Sequence, residues 1–266
     1  MNENIKWFAG AVAVVGLSIG AVIYFSMRDE AAPPPEPPAA SLPPEPAPVP
    51  EEPAVKHPLP EAERQEPLPA LNESDVPMQK ALTELLGKES VEQLFKPDEL
   101  VRHIVVSIDN LPEQKVAERI RPVKRVPGKF EVGGSEDAPV LNPANYERYK
   151  PLVQLIGSTD TRRLIATYSR YYPLFQDAYE SLGHPPKYFN DRLVEVIDLL
   201  LTTPDVQDPV ALAQPNVLYE FADPKLESLT AGQKALIRMG SENAAVVKTK
   251  LRELRGELVK APAAKE

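Results

Sequence analysis

The strongest constraint in this sequence is the run from Trp7 to Met27, 21 residues without a charge. A helix rises about 1.5 Å per residue, so a run of that length just crosses a hydrocarbon core of about 30 Å. Trp7 and Phe8 at one end, with Tyr24 and Phe25 at the other, suit the two interfaces. A cleaved signal peptide has a shorter apolar region, roughly 7–15 residues, ending in a small-x-small site. This run ends Phe25-Ser26-Met27-Arg28, so residues 1–28 read as an uncleaved single-pass anchor. Lys6 and the terminal amine outweigh Arg28, which predicts a cytoplasmic N-terminus at the inner membrane and a periplasmic body. Ala9, Ala13, Gly16 and Gly20 line one helical face with a Gly-xxx-Gly step. Such a face lets two backbones approach as a homodimer, although small residues are also ordinary membrane-helix composition.

A different chemistry follows. Of 31 prolines, 16 fall between Ala31 and Pro77, and residues 28–75 hold 11 acidic and 3 basic side chains. Proline lacks the N–H and fixes φ, while the glutamates repel one another, so residues 29–75 read as a disordered linker sampling polyproline II. If extended at about 3.1 Å per residue, some 40 residues reach on the order of 120 Å. Its plain role is a spacer; a partner that reads polyproline II is the alternative. From Val76 onward there are 26 basic and 27 acidic residues, which argues against a nucleic-acid-binding domain. The absence of cysteine removes disulfides, thiol nucleophiles and Cys-ligated zinc.

Residues 76–260 carry helical periodicity. Val76–Leu86 closes at Gly87; Ser90-Val91-Glu92-Gln93 has the form of a capping box; Pro97 opens a helix with Leu100, Ile104, Val105, Ile108 and Leu111 on one side. Residues 112–139 lose the period, and Phe130-Glu131-Val132, Gly133-Gly134 and Val140-Leu141 read as a small hairpin. Helices resume at Asn142-Pro143. Thr159 or Ser158 caps the next, which runs to Leu182 with a kink at Pro173. Asn190–Thr202 follows, then an irregular stretch to Phe221, short helices from Asp223 and Thr230, and a last one from Ser241 to about Val259. The fold class is therefore mainly α, with an N-terminal transmembrane helix, a disordered proline-rich linker and a multi-helix globular domain bearing one small β-hairpin.

Three constellations carry potential chemistry. Glu99, His103 and Ser107 stand at i, i+4 and i+8, an acid–base–hydroxyl line, but their neighbours Arg102 and Asn110 make it a solvated face. Asp191, Glu195 and Asp198 fall within about 60° of one another on an otherwise apolar helix. They are weak catalytic candidates, as paired acid and base or as a divalent-cation stripe. The stripe is equally the thin wet edge of a buried helix, neutralised by Arg162, Arg163 or Arg170. Finally, seven of nine tyrosines lie between Tyr146 and Tyr188. Tyr168, Tyr171, Tyr172 and Tyr188 form a candidate binding surface for sugars or prolines, against core packing as the plainer alternative. The last helix spaces Ala244, Val247, Leu251, Leu254 and Leu258 by threes and fours, which predicts docking on the body, with self-association as the alternative and Lys248, Lys250, Arg252 and Arg255 on an exposed basic side. No phosphate loop or nucleophile elbow is present, and no metal site or cofactor is expected.

The body also resembles a bacterial family, domain of unknown function 3014. The carrying stretches are Pro97–Arg102 with Asp109–Pro112, Tyr172–Gln176, Tyr188–Asp198, Tyr219–Pro224, Ala231–Lys234 and Arg238–Gly240. The resemblance implies a group built as anchor, proline-rich linker and helical body, and it carries no catalytic residue across. The leading expectation is a non-enzymatic module that binds an envelope protein or glycan across the periplasm. The alternatives are a glycan-acting envelope enzyme using Glu195 with Asp191 or Asp198, and a cytoplasm-facing adaptor.

Overall fold

The computed structural model describes residues 55–59, 67–184 and 187–260. The run from Trp7 to Met27, its small-residue face and most of the proline-rich linker lie outside the described residues. Among the described residues no helix is long and apolar enough to cross a membrane.

Among the described residues are ten α-helices, two 3-10 turns at Leu71–Glu73 and Glu118–Ile120, and two short antiparallel sheets. In chain order the helices and strands are α1 Asp75–Leu86, α2 Lys88–Leu94, α3 Leu100–Asn110, β1 Val132–Ser135 and β2 Ala138–Leu141. Then come α4 Ala144–Glu147, α5 Lys150–Ser158, α6 Thr161–Glu180 and α7 Phe189–Leu201. The last are β3 Leu212–Ala213, β4 Glu220–Phe221, α8 Pro224–Glu227, α9 Ala231–Arg238 and α10 Ser241–Leu258.

The apolar spacing sets these elements and the caps bound them. On α1, Met78 and Leu82 are buried at i and i+4; on α3, Leu100, Val101 and Val105 are. Asp75, at the start of α1, accepts from the N–H groups of Glu99 and Leu100 at 2.8 and 2.9 Å. This carboxylate from a neighbouring helix, rather than Pro97, starts α3. Ser90 lies inside α2, so its capping box does not form. Gly87 at φ 84° ends α1 and lets α2 begin at once. Asp160, not Thr159 or Ser158, caps α6 by accepting from Arg163 N–H at 2.8 Å. That helix runs through Pro173 to Glu180. Thr230 and Gln233 close a reciprocal capping box on α9.

α7 is the central helix: Phe189, Val194, Val196, Ile197 and Leu200 are buried, and it packs against α3, α6, α9 and α10. α10 docks on the body through Ala244, Val247, Leu251, Leu254 and Leu258. Its expected basic side is corrected. Lys248 and Lys250 are buried, their long stems covered and their ammonium groups placed on Thr203 O and Asp205 and on Thr159 O, Thr161 and Glu253.

The hairpin pairs Val132 with Leu141 and Ser135 with Ala138, so the turn is at Glu136-Asp137 and both glycines sit within β1. The β3–β4 pair was not foreseen: two residues per strand give no period to read. Part of the stretch assigned to the linker belongs to the domain. Leu68 and Leu71 pack on the core, Ser74 is buried, and Lys56 and His57 lie against α7. Buried apolar residues fall into four clusters, three of them bridged by the partly buried Ile108, Tyr168 and Leu251.

Candidate functional site

α7 has an outer, carboxylate-bearing edge and an inner, apolar face, and they differ in what they offer a ligand. On the edge, each carboxylate has a partner within the fold. Asp191 accepts from Lys56 N–H at 3.1 Å and His57 N–H at 2.8 Å. Asp198 takes a two-point contact from the Arg255 guanidinium of α10, one arm at 3.1 Å. Glu195 stands 3.6 Å from Lys56 Nζ and 3.7 Å from Arg192. Its side chain is 54% exposed. The neutralising cations are thus Lys56, Arg192 and Arg255, not the α6 arginines; Arg163 donates to Glu84 O instead. Among the described residues no group of three or more His, Asp or Glu side chains is placed to hold a metal ion.

Sequence inspection missed a neighbouring cluster. Arg192 donates to Asp109 Oδ1 at 2.8 Å and to Asp109 O at 2.9 Å, and His184 Nε2 lies 3.3 Å from Asp109 Oδ2. The His184 ring stacks on Tyr179 with centroids 4.9 Å apart. The contact ties the C-terminal end of α3 to α7. Its only signal was that Asp109 and Arg192 both stand in stretches resembling the family.

Glu99, His103 and Ser107 do not assemble. His103 Nδ1 is 3.0 Å from Asp98 O, its Nε2 is 3.9 Å from Glu99, and Ser107 donates to Ile120 O at 2.9 Å. That face is half-covered by residues 117–123 rather than fully solvated.

Three of the four candidate tyrosines are packing groups. Tyr168 lies 5.4 Å from Phe175 and 5.8 Å from Tyr172, ring to ring, and its hydroxyl reaches Asn190 Oδ1 at 3.3 Å. Burial pushes the Tyr168 hydroxyl well above its usual pKa and lifts Tyr172 to about 12. Tyr171 is buried and donates to Pro77 O at 3.4 Å. Tyr188 is half-buried at the N-cap of α7.

The inner face of α7 borders a cavity of about 320 Å³ between α1, α3, α6, α7 and α10. Met78, Ile108, Ile165, Leu193, Leu200 and Leu254 are among its walls, and Thr167 and Tyr168 are its hydroxyl-bearing residues. Those walls are drawn from three of the four buried clusters. Thr167 also borders a second hollow of about 300 Å³ between α1 and α6, where Lys80, Arg163, Arg170 and Glu84 are the charged side chains among the described residues.

Fold and site together define a mainly helical domain with an apolar chamber at its centre and a polar exterior tied by ion pairs. The chain belongs to the family described as Protein of unknown function (DUF3014), whose model matches residues 100–255. No curated protein and no solved structure matches it.

Proposed function

We propose that this chain is a single-pass protein of the inner membrane whose helical domain stands in the periplasm as a non-enzymatic interaction module. The observation that carries the reading is the sequence order of an uncharged 21-residue run, an acidic proline-rich spacer and a charge-balanced body. The use of the candidate carboxylates supports it: Asp191 holds a backbone segment to α7, and Asp198 clamps α10. Groups so used serve the fold rather than a substrate. The partner is an envelope protein or glycan reached across the spacer, and a membrane-helix homodimer through Gly16 and Gly20 would double the display.

C-terminal fusions to alkaline phosphatase and to green fluorescent protein test the placement. Phosphatase activity without fluorescence is expected; the reverse makes the protein a cytoplasm-facing adaptor. Crosslinking and pull-down from intact membranes then tests the module, with one envelope component recovered in constant proportion as the expected result. Turnover of glycan by the wild type that Glu195→Gln abolishes would overturn it in favour of an enzyme.

A further inference from the structure

The apolar chamber has no role in the reading above. We infer that it is a binding site for a single alkyl chain with an anionic head, the chain lying between α3, α6, α7 and α10 and the head in the basic hollow beside it.

Three observations point there. The first is the wall chemistry. Met78, Ile108, Leu193 and Leu254 offer no hydrogen bond, and the Thr167 hydroxyl is already donated to Arg163 O at 2.9 Å. Water gains nothing from such walls, since apolar cavities stay dry and take apolar guests. The second is size. About 320 Å³ lies at the lower end of small-molecule sites. At roughly 30 Å³ per water-sized group it holds about ten to twelve methylene-sized groups, which is one chain and not two.

The third observation is what adjoins the chamber. Thr167 is part of both walls, and the adjoining hollow presents Lys80, Arg163 and Arg170 against Glu84. Each of these charges already has a contact: Arg163 with Glu84 O at 3.2 Å, Lys80 with the Glu84 carboxylate at 4.0 Å, and Arg170 over the Tyr171 ring at 5.6 Å. Among the described residues Lys80 and Arg163 outnumber Glu84 without counting Arg170, an excess that favours a carboxylate or phosphate head over a neutral one. A fatty acid and a single-chain phospholipid share this chemistry. The inference is independent of membrane topology, because the chamber lies wholly within the helical domain.

Photo-labelling tests it. The full chain, in phosphatidylcholine nanodiscs, is irradiated with a fatty acid of about twelve carbons bearing a diazirine at its tail, and adducts are mapped by peptide mass spectrometry. Adducts on α3 and α7 peptides, around Ile108 and Leu193, are expected. Competition by dodecanoate identifies a free acid as the source, and competition by single-chain phosphatidylglycerol identifies a lipid. Leu193→Trp, whose larger ring takes up part of the chamber, should lower labelling several-fold while the circular dichroism stays native; Ile108→Trp replaces it if that variant does not fold. Arg163→Glu should weaken competition by dodecanoate and leave competition by dodecanol unchanged. Adducts confined to peptides from residues 7–27, labelling unchanged in the variant with the enlarged side chain, or failure of both anionic competitors would each overturn the inference.

Discussion

Two parts of this domain are built from similar residues and differ in whether a cavity lies between those residues. Around the paired strands, Leu141, Val210, Leu212, Phe221 and Ile237 form a closed cluster. At its border Tyr146 lies so near Gly240 that an added Cβ would meet the ring at 2.7 Å. In the helical bundle, aliphatic side chains of the same kind leave about 320 Å³ between them. The difference lies in geometry. Short strands and a tight turn hold backbones near each other, whereas five helices meeting round one point need large side chains to fill the middle, and here the walls carry mostly Leu and Ile. One region is adapted to be closed. The other leaves a central volume that side chains do not occupy.

That contrast is open to being broken by substitution. The largest effect should come from Gly240→Ala, where a Cβ meets the Tyr146 ring and φ is +86°. A loss of about 3 kcal/mol in urea unfolding is expected, and a loss under 1 would mean the closed region is not closed. Asn145→Ala should cost about 2 kcal/mol. Its buried amide donates to Glu131 O and Asn142 O and accepts from Glu131 N–H, groups that the variant strands.

Acid provides a third probe of the closed region. Burial raises the pKa of Glu227, but the Lys234 ammonium and the Phe221 N–H outweigh that and hold it below its ordinary 4.5. A carboxylate depressed in the folded state contributes stability that is full above 4.5 and lost as pH falls through the lower folded value. Unfolding midpoints should therefore drop as the pH falls below 4.5, and less steeply in Glu227→Gln.

The open region should respond with the opposite sign. Leu193→Phe adds volume to the chamber and is expected to be neutral or to stabilise by up to about 1 kcal/mol, where the same enlargement of a filled core costs about 1–3. Smallest of all is Asp198→Asn on the outer edge of α7. Its pair with Arg255 is more than two-fifths exposed on both sides, so a change of at most about 0.5 kcal/mol is expected in thermal melts.

Much of the fold was legible in the residues, and the reason is locality. Gly87, Asp223-Pro224, Thr230 and Gly240 act on neighbours within one turn, so the ends of α1, α8, α9 and α10 could be read directly. The carboxylates of α7 were equally visible as a stripe. What binds them was not, because Asp198 meets a residue 57 positions away and Asp191 a segment more than 130 away. Lys248 and Lys250 misled for a related reason: composition shows a basic residue, while only the neighbouring helix end shows that its ammonium has a carbonyl to reach. The chamber was the least legible. Periodicity says which face of each helix is apolar, and it does not say whether five such faces fill the space between them.

The hollow centre is the claim on which the rest depends, and xenon under pressure is its most direct probe, since the gas enters dry apolar cavities. Crystals of the protein so treated should show xenon, or a chain-like ligand already in place, between Ile108, Leu193 and Leu254. A centre filled by those side chains, with no density beyond their own, would contradict it.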